Sequence, residues 1–580
     1  MLKLVKLLIS NYRGISGDKD NPGVEVNLED INLIFLIGKN NTGKSTILDA
    51  YEYFVTSSVK ALEGDFHNQA TRKPITIEAW LKPESEEDEE HSAVKKYIDP
   101  KTNIAKYKKE WTKIGEKATK YSYAIDSGWE EGGAGGFDTI LQNAFPEPVW
   151  LKGLDSVEII LEKVQKMIKE KVLENAPNLD RFETIEKELE KLREDIIADD
   201  FSQKLESRLN TLMQDTFPEL SVTLFGEEKD SFNKKLSSLI TTDIKFANQG
   251  IPVNMENHGH GIRRQFLFNS LRGLNHVFAE VDKSKAKRDN EIIDNIDKRD
   301  NGNRKKMLLI EEPELFLHPQ SIRAFADVLY ELAEGSGFQV MAATHSPVLV
   351  DLSRDHTTLL RTVMDNEDGT KVHQVSDNLF DRDEKERLKM LNSFDPHVCE
   401  AFFNDKVILV EGDTEAVVFR ELINKMISVE KLHIMDAPLI VNCGSKMNMP
   451  SFQKVLNHFD IQYYVIHDLD NTYNDNGNKN AAWTLNYTIY DEIKKVKDKL
   501  KADRFIMERE FESAHDYDYD KNLGKPLSAY HLVNNWDIED ETKPAIKALQ
   551  IFFGGEEERG TFDDQWVLDR KNEKIDIKMT

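Results

Sequence analysis

Apolar runs and segments of helical period alternate in the first part of the chain. LIFLIG (33–38) is a continuous apolar run, and STILDAYEYFV (45–55) places apolar residues at helical spacing. KMLLIEEPE (306–314) and FQVMAATHSP (338–347) are two more apolar runs with a helix-length segment between them, whereas ITIEAWL (75–81) alternates like a half-buried strand. Short apolar runs separated by helices are typical of a parallel sheet covered on both faces. The pattern predicts an α/β domain.

The stretch 157–213 has a different character. It is rich in Lys, Glu and Leu, with apolar residues three and four positions apart. This spacing predicts two long amphipathic helices that break near Pro177. Such an insert is expected either as an arm that contacts a second copy or as an intramolecular hairpin.

A second α/β unit is predicted after a helical linker. VILVEG (407–412), PLIVNCG (438–444) and QYYVIHDLD (462–470) are three apolar runs separated by helix-length segments. Three strands with two crossovers form a βαβαβ unit.

Composition narrows the class of protein. No stretch approaches 18 consecutive apolar residues, so a membrane span is not expected. Lysines interrupt the apolar opening MLKLVKLLIS, which favours a first strand over a signal peptide. The only two cysteines, Cys399 and Cys443, exclude a disulfide framework and are typical of a cytoplasmic protein.

The net charge of −27 predicts that any contact with nucleic acid is local. Two stretches are candidates: the lysine-rich segment 95–120, with Tyr97, Tyr107 and Trp111 interleaved, and the mixed-charge segment 283–306. For both, a solvated strand face or a polar loop is the favoured interpretation.

GKNNTGKS is a complete G-x-x-x-x-G-K-S phosphate-binding loop, placed between an apolar run and a helical segment. Glycines let backbone amides approach the phosphates of ATP, and the following helix directs its positive end toward them. A lysine neutralises the β- and γ-phosphates, and a serine hydroxyl binds Mg²⁺. The predicted nucleotide-binding residues are Gly38, Asn40, Asn41, Gly43, Lys44, Ser45 and Thr46.

Acidic residues at the end of MLLIEEPE complete the nucleotide site. Glu311 is expected to hold Mg²⁺ through water, where aspartate is more common, and Glu312 to orient or deprotonate the attacking water. The next run ends in THSP, which places His345 where it can sense the γ-phosphate.

EEPELFLHP followed by THSP, together with the opening NYRGI, resembles the ABC-type ATPase heads of the RecF/SMC-like class. The resemblance implies that two heads sandwich ATP, so a homo-oligomer of at least two copies is expected. NHGHGIRRQ (257–265) is the candidate signature motif through Gly259 and Gly261, although His258 stands where Leu-Ser-Gly-Gly has serine. Gln69 is the candidate Q-loop residue.

Four carboxylates are predicted at strand ends in the second unit. Glu411 ends an apolar run, Glu415 opens the next helix, and Asp468 and Asp470 end a run two strands on. Carboxyl ends of parallel strands meet at one edge of a sheet, where α/β proteins bind ligands. Neighbouring like charges need compensation, and oxygen ligands select Mg²⁺ or Mn²⁺.

This second pattern resembles a Toprim domain, and its combination with an ABC-type head resembles the OLD (overcoming lysogenization defect) family of nucleases. VNCGSKMNMPSF (441–452) is similar to the family's glycine–lysine segment on the second Toprim strand. REFESAHD (509–516) and LGKPLSAYHL (523–532) are similar to two further motifs, which implies Glu512 as a metal ligand and Lys525 as a transition-state stabiliser.

The resemblance implies an ATP-regulated, metal-dependent DNA endonuclease or nickase in anti-phage defence, acting with DNA and with partners of a defence system. In two-metal hydrolysis, Glu411, Asp468 and Asp470 are the expected catalytic carboxylates. The alternatives are an ATPase scaffold whose Toprim fold is idle and an RNA-cutting growth-arrest effector.

The expected domains are, in chain order, the ATPase domain, its helical insert, its remainder, a linker, the Toprim domain and a tail: 1–152, 153–216, 217–383, 384–405, 406–545 and 546–580.

Overall fold

The computed structural model separates the chain into two units, Met1–Val350 with Arg354–Val372, and Asp351–Ser353 with His373–Thr580. The residues described are 2–17, 21–84, 95–132, 137, 144–152, 198, 200–217, 219–223, 245–248, 251–254, 262, 266, 269–270, 272–273, 305–315, 317–335, 337–351, 354, 357–365, 368–375, 396–473, 478–498, 500–508, 511–516, 518–554 and 559–579.

A largely parallel sheet carries the predicted apolar runs of the first unit. Its strand order is β16-β15-β3-β14-β13-β9. Pairing is parallel between β15 and β3, β3 and β14, β14 and β13, and β13 and β9. The strands are β3 (Leu33–Ile37), β9 (Glu147–Lys152), β13 (Lys306–Glu311), β14 (Phe338–Ala343), β15 (Thr357–Asp365) and β16 (Gly369–Gln374).

Two helices follow strands of this sheet. Helix α1 (Lys44–Val55) comes after β3, and α3 (Pro319–Glu334) connects β13 to β14. α3 begins with Pro319 at its first position, which suits proline because its missing N–H has no helical partner there. All residues of β3 and β14 are buried, and each large apolar side chain so buried contributes roughly 1.5–3 kcal/mol.

The same unit contains an antiparallel sheet of order β2-β1-β4-β6-β7-β8, with β5 paired to β6. Tyr97, Tyr107 and Trp111 of the lysine-rich segment point into its core, with exposed fractions of 3%, 0% and 1%. These rings are therefore not available to stack on nucleobases. The strands are β1 (Leu2–Ser10), β2 (Val24–Asn27), β4 (Ile75–Pro83), β5 (Ile98–Asp99), β6 (Ile104–Trp111), β7 (Thr119–Ala124) and β8 (Gly128–Glu131).

The end of the predicted helical insert is a helix, α2 (Asp200–Thr216), which buries Leu205, Leu209 and Leu212. Residues 153–197 lie outside the described residues, as does most of the segment 283–306. A small antiparallel sheet follows, of order β10-β11-β12. Its strands are β10 (Leu220–Thr223), β11 (Lys245–Asn248) and β12 (Ile251–Asn254).

The second unit is a parallel sheet of order β18-β17-β19-β20. The three predicted strands are present, and a fourth, β20, joins the edge. The strands are β17 (Lys406–Val410), β18 (Leu439–Asn442), β19 (Gln462–Asp468) and β20 (Ala502–Met507). The helices are α4 (Asp413–Ser428), α5 (Met449–His458), α6 (Ala481–Ile493), α7 (Phe511–Ala514), α8 (Gly524–Val533), α9 (Pro544–Phe553) and α10 (Asp564–Met579).

One helix of this unit runs across an expected domain boundary, and the boundary stays a prediction. The expected Toprim boundary at 545 falls inside α9, whose Ile546, Leu549 and Phe552 pack into the core. The C-terminal residues are polar on average, so their composition does not reveal this apolar side, which is formed by a few residues at helical spacing. Of the expected linker, only 396–405 is described, with a 3₁₀ helix at Pro396–Phe403.

Candidate nucleotide and metal sites

The loop between β3 and α1 is tightly constrained. Gly38 and Gly43 have φ angles of +138° and +100°. A Cβ on Gly38 would lie 2.4 Å from the carbonyl oxygen of Thr362, and one on Gly43 would lie 2.4 Å from Thr370 Oγ1. The backbone therefore forms a close-fitting turn that leads directly into the N-terminus of α1, which is the geometry that binds phosphate.

Two side chains of this loop form hydrogen bonds within the site. Lys44 Nζ donates to the carbonyl oxygens of Gly38 and Lys39, at 2.9 and 2.8 Å. Ser45 Oγ donates to a carboxylate oxygen of Glu311. Burial lowers the pKa of Lys44, and the charge of Glu312 opposes this change.

The other predicted loop residues line its outside. Asn40 and Asn41 are exposed, Thr46 is half-buried, and Asn41 has a left-handed φ of +62°.

The ends of β13 and β14 hold the remaining residues of this edge. Glu311 pairs with Ala343 across the two strands, and the Glu312 amide, at a left-handed φ of +48°, donates to Ala343 O at 2.8 Å. A residue that sequence analysis missed, Glu314, accepts hydrogen bonds from Thr344 Oγ1 at 2.8 Å and from the His345 amide at 2.6 Å. The third acid of EEPE was the available signal for this role.

His345 is exposed overall. Partial desolvation of its ring, with the charge of Lys44, lowers its pKa, whereas Glu314 and Glu312 act in the opposite direction. The neutral form of the His345 imidazole is therefore favoured at neutral pH.

Three further predicted features of the ATPase domain are Gln69, the NYRGI motif and the signature candidate. Gln69 ends a 3₁₀ turn with its side chain exposed, and its amide donates to Phe66 O at 3.0 Å. Arg13 of NYRGI forms ion pairs with Asp49 at 2.5 Å and Asp65 at 3.3 Å. The signature candidates Gly259 and Gly261 lie outside the described residues.

In the second unit, strand order brings two predicted carboxylates together. β17 and β19 are parallel neighbours, so Glu411, directly after β17, and Asp468, the last residue of β19, lie at the same edge. Glu411 Oε1 accepts a hydrogen bond from the Asp468 amide at 2.8 Å. Glu415 lies in the first turn of α4, and a Cβ on Gly412 would lie 3.3 Å from its Oε2. The glycine therefore lets Glu415 approach the strand end.

A buried lysine that sequence analysis did not assign lies among these groups. Lys446 is 4% exposed, and its Nζ donates to Asp468 O at 2.5 Å, Asp470 Oδ2 at 2.6 Å and Asn486 Oδ1 at 2.8 Å. Asn486 is fully buried and donates to Leu469 O at 2.9 Å. The lysine of the 441–452 segment was the only sequence signal for this network.

The carboxylates of this edge influence one another. Burial raises the pKa of Asp468 to about 8, and the charges of Glu411, Glu415 and Asp470 add to the effect. Burial likewise raises the pKa of Glu411 to about 7, with Lys446 opposing it. These carboxylates hold their protons more tightly than usual, because their charged forms repel one another and are poorly solvated.

Glu512 and Lys525 form the outer side of the same edge. Lys525 Nζ lies 2.9 Å from Glu512 Oε1, with the lysine half-exposed and the glutamate mostly buried. Burial raises the pKa of Glu415, Glu512 raises it further, and Lys525 lowers it. The two motifs that were implied only by resemblance therefore lie within electrostatic reach of Glu415.

Helix α7, which carries Glu512, is held by a buried histidine. His515 Nδ1 donates to Phe511 O at 2.8 Å, and Nε2 accepts from the Ala545 amide at 3.1 Å. The ring stacks on Trp536 at 5.0 Å between centroids. Burial lowers the pKa of His515 to about 4, so its neutral form holds α7 against the start of α9.

The donor set suits a hard divalent cation, because all of the candidate ligands are carboxylate oxygens whose negative charges repel one another. The side-chain placement alone does not enclose one: among the described residues, no three Asp, Glu, His or Cys side chains stand close enough to hold a metal ion. Glu411 engages the Asp468 amide and Asp470 engages Lys446. Binding a cation would therefore require the carboxylates of this edge to move closer together than they stand here.

Family models match both units. A model described as "AAA ATPase domain" matches residues 2–129 and 155–350, more than half of the chain. A model described as "Overcoming lysogenization defect protein-like, TOPRIM domain" matches residues 402–470, which include Glu411, Glu415, Asp468 and Asp470. The predicted order of an ATPase domain followed by a Toprim domain is thereby confirmed.

Three relatives carry nuclease names. The chain is 24% identical over 471 residues to the Old nuclease of Escherichia phage P2, covering 75% of this chain and 73% of that protein. It is 30% identical over 164 residues to the OLD nuclease of Thermus scotoductus, covering 28% and 30%. It is 23% identical over 444 residues to Endonuclease GajA of Bacillus cereus, covering 73% and 68%.

None of the helices in the described ranges has the length and apolar character needed to cross a membrane. The glycine loop between β3 and α1 and the acidic edge of the second sheet each lie within a domain that a family model matches. The chain belongs to the AAA ATPase domain family and carries, after that domain, the Toprim domain of the OLD family.

Proposed function

We propose that the chain is a divalent-metal-dependent endonuclease or nickase of DNA, regulated by ATP and acting in the cytoplasm in anti-phage defence. The observation that carries the proposal is the meeting of Glu411 and Asp468 at one sheet edge, each with a raised pKa. The nuclease names of the three relatives support the same reaction class.

The proposed reaction is hydrolysis of a phosphodiester at the edge of the second sheet. The carboxylates of this edge would hold Mg²⁺ or Mn²⁺, which activates water and stabilises the leaving oxygen when bound. Lys525 neutralises charge that develops on the phosphate, and its ion pair with Glu512 directs its ammonium toward the carboxylates. The proposed ligands are Glu411, Glu415, Asp468, Asp470 and Glu512.

ATP is proposed to bind at the loop before α1. The amides of the glycine turn and Lys44 contact the phosphates, and the Ser45–Glu311 pair provides the place for Mg²⁺. Glu312 orients the attacking water and His345 senses the γ-phosphate. A second copy would complete this site from the Gly259–Gly261 segment, which makes the active form at least a dimer.

The test is to incubate the purified protein with plasmid and with tRNA in Mg²⁺, Mn²⁺ or EDTA, with and without ATP. The parent chain should cut or nick plasmid only with a divalent cation, and Asp468→Ala should abolish the cut. Asp491→Ala, an exposed acid on α6 paired with Lys494, is the matched control and should cut like the parent. Lys44→Ala should cut with a changed response to ATP.

Three other outcomes are informative. An Asp468→Ala variant that cuts as well as the parent would show that the assigned edge is not the active site. Shortened tRNA beside intact plasmid would support an RNA-cutting effector, and ATP hydrolysis without any cleavage would support a scaffold.

A further inference from the structure

The antiparallel sheet of the first unit has an outer face, on the side away from its core. Side chains alternate along a strand, so Tyr107 of β6 is buried while Lys106 and Lys108 beside it point outward and are partly exposed. One row of side chains across this outer face consists only of lysines and aromatic residues. We call it the cation–aromatic row, and its members, from β1 through β4, β6 and β7 to β8, are Lys6, Trp80, Lys106, Tyr123 and Trp129.

Strand register and ring contacts fix the order of the row. Lys6 pairs with Trp80, and Trp80 pairs with Lys106. The Nζ atoms of Lys6 and Lys106 lie 4.7 and 4.1 Å from the centroid of the Trp80 ring, and Lys106 Nζ is also 5.3 Å from that of Tyr123. Tyr123 pairs with Trp129, and their rings meet edge to face at 5.3 Å. Because neighbouring strands lie about 4.8 Å apart, the row forms a strip roughly 19 Å long.

Further lysines lie beside the row. Lys3 and Lys82 pair with each other across β1 and β4, one step along the strands from the row. Burial and the charges of Lys305 and Lys82 lower the pKa of Lys3 to about 8, against the opposite effect of nearby acids. In a chain with a net charge of −27, this is a local concentration of positive charge that an anion would relieve.

The carboxylates nearest to these lysines lie outside the row. Lys6 pairs with Glu25 at 2.6 Å and Lys82 pairs with Glu29 at 3.1 Å, and the two glutamate side chains are 50% and 49% exposed. Glu78 lies in the row on the other side, where burial raises its pKa against the charges of nearby lysines. Ion pairs this exposed contribute little to stability, so a phosphate can replace either partner glutamate at small cost.

This combination of side chains suits single-stranded nucleic acid. Lysines hold phosphates, and aromatic rings stack unpaired bases with little regard to sequence. Stacking of a base on a ring is worth more than an exposed cation–π contact, so a strand can displace the ammonium groups from the rings and engage them with its phosphates. A second copy fits less well, because three partly exposed rings offer far less than the roughly 800 Å² per partner that a stable contact buries.

We propose that the cation–aromatic row binds single-stranded nucleic acid, with bases on Trp80, Tyr123 and Trp129 and phosphates on the lysines. The ATPase domain then holds nucleic acid on a surface of its own, in addition to the proposed cleavage site of the second unit. The inference rests on the proposed function only in taking nucleic acid as the ligand.

The test measures how affinity depends on salt. Fluorescence anisotropy with a labelled single-stranded DNA oligonucleotide, and with a blunt duplex of the same sequence, is recorded in EDTA at several salt concentrations. Lys106→Gln should make the plot of log affinity against log salt concentration shallower by about 0.7, which is the share of one phosphate contact on a single strand. Tyr123→Ala should weaken single-strand binding by about tenfold and leave both this slope and the duplex affinity unchanged. Tyr123→Phe keeps the ring and should bind like the parent.

Lys113→Gln is the matched control, since Lys113 belongs to the same lysine-rich segment, lies beyond the end of β6 and has a side chain that is 72% exposed. It should change neither the slope nor the affinity. Single-strand affinity and slope that stay at the parent values in Lys106→Gln/Tyr123→Ala would overturn the inference. Equal losses for single strand and duplex in Tyr123→Ala would overturn it as well.

Sedimentation of Lys106→Glu separates a further outcome. A lower mass for this variant, with unchanged single-strand binding, would make the row a contact between copies and overturn the proposal. Failure of the proposed function shows differently, as cleavage that persists in Asp468→Ala while single-strand binding still depends on Lys106 and Tyr123.

Discussion

Replacing Lys446 by methionine tests how the acidic edge of the second unit is stabilised. Methionine keeps most of the apolar stem but removes the ammonium, which donates to Asp468 O, Asp470 Oδ2 and Asn486 Oδ1. Three acceptors then lose their common donor. The neighbouring carboxylates also lose the one charge that lowers the pKa of both Glu411 and Asp468.

The expected loss of stability follows from burial. Removing one partner of a buried ion pair costs about 3–5 kcal/mol, because the other charge is left uncompensated. Lys446 is 4% exposed, but the Asp470 side chain is 29% exposed and is partly solvated. We therefore expect a decrease of about 3 kcal/mol in the free energy of unfolding of the second unit at pH 8 without metal.

The effect should depend on pH in a defined direction. Loss of the lysine raises the folded-state pKa of Glu411 and Asp468 further above the unfolded value. An acid with a raised folded pKa stabilises the protein at low pH, and this contribution is lost as pH rises through the folded pKa. The difference between Lys446→Met and the parent should therefore shrink between pH 8 and pH 5.5.

Native-state hydrogen exchange of β19 and β20, followed by mass spectrometry, is the appropriate assay. The chain has two compact units, so a single unfolding transition of the whole protein does not report on one of them. Asp470→Asn alone and in combination with Lys446→Met completes a double-mutant cycle, in which the double variant should lose less than the sum of the singles. A loss below about 1 kcal/mol at pH 8, with no change at pH 5.5, would refute the reasoning.

Three further predictions address other residues. His515 has a pKa lowered to about 4, so neutral His515 stabilises α7 fully above about pH 6.5, and that contribution, roughly 3 kcal/mol, should be lost as pH falls through 4. The opening free energy of α9, measured by native-state hydrogen exchange, should depend less steeply on pH in His515→Phe than in the parent, and an equally steep dependence would contradict this. Gly43→Ala, at a φ of +100° and with its Cβ 2.4 Å from a threonine hydroxyl, should lower the melting temperature and weaken ATP binding at least tenfold, whereas Gly64→Ala, which meets nothing within 4 Å, should do neither. Glu314→Gln removes a charge that raises the pKa of His345, so an NMR titration should find that pKa lower still; an unchanged value would show that Glu314 acts only through its hydrogen bonds.

Local features of the site were predictable from the sequence. The turn from β3 into α1 depends on glycines at two fixed positions, and both have the left-handed φ angles that such a loop needs. The strand ends that present Glu411 and Asp468 were readable from apolar runs that stop at an acid. Their roles in catalysis and metal binding stay predictions that the proposed experiments test.

The contacts between distant segments were not predictable in the same way. Lys446 meets Asp470 only because α5 and the 3₁₀ turn before it bring the lysine beneath the end of β19, and a lone lysine in the sequence is indistinguishable from a surface charge. Glu314 was missed because its role depends on the turn after the neighbouring strand. The packing of helix α9 was not apparent because its apolar side is short and its surroundings are polar.

The sequence by itself determined the apolar strands that lead to the two sites, the glycine turn after β3 and the acids at the strand ends, since hydrophobic period and glycine placement act over a few neighbouring residues. Tertiary structure alone decided that β17 lies beside β19, and thereby that Glu411 reaches the Asp468 amide 57 positions away. It also decided that a buried lysine shares the acidic edge. Alternating patterns specify which face of an element is buried but not which element packs against it. The hydrophobic effect is non-directional, so any well-packed apolar neighbour can bury that face.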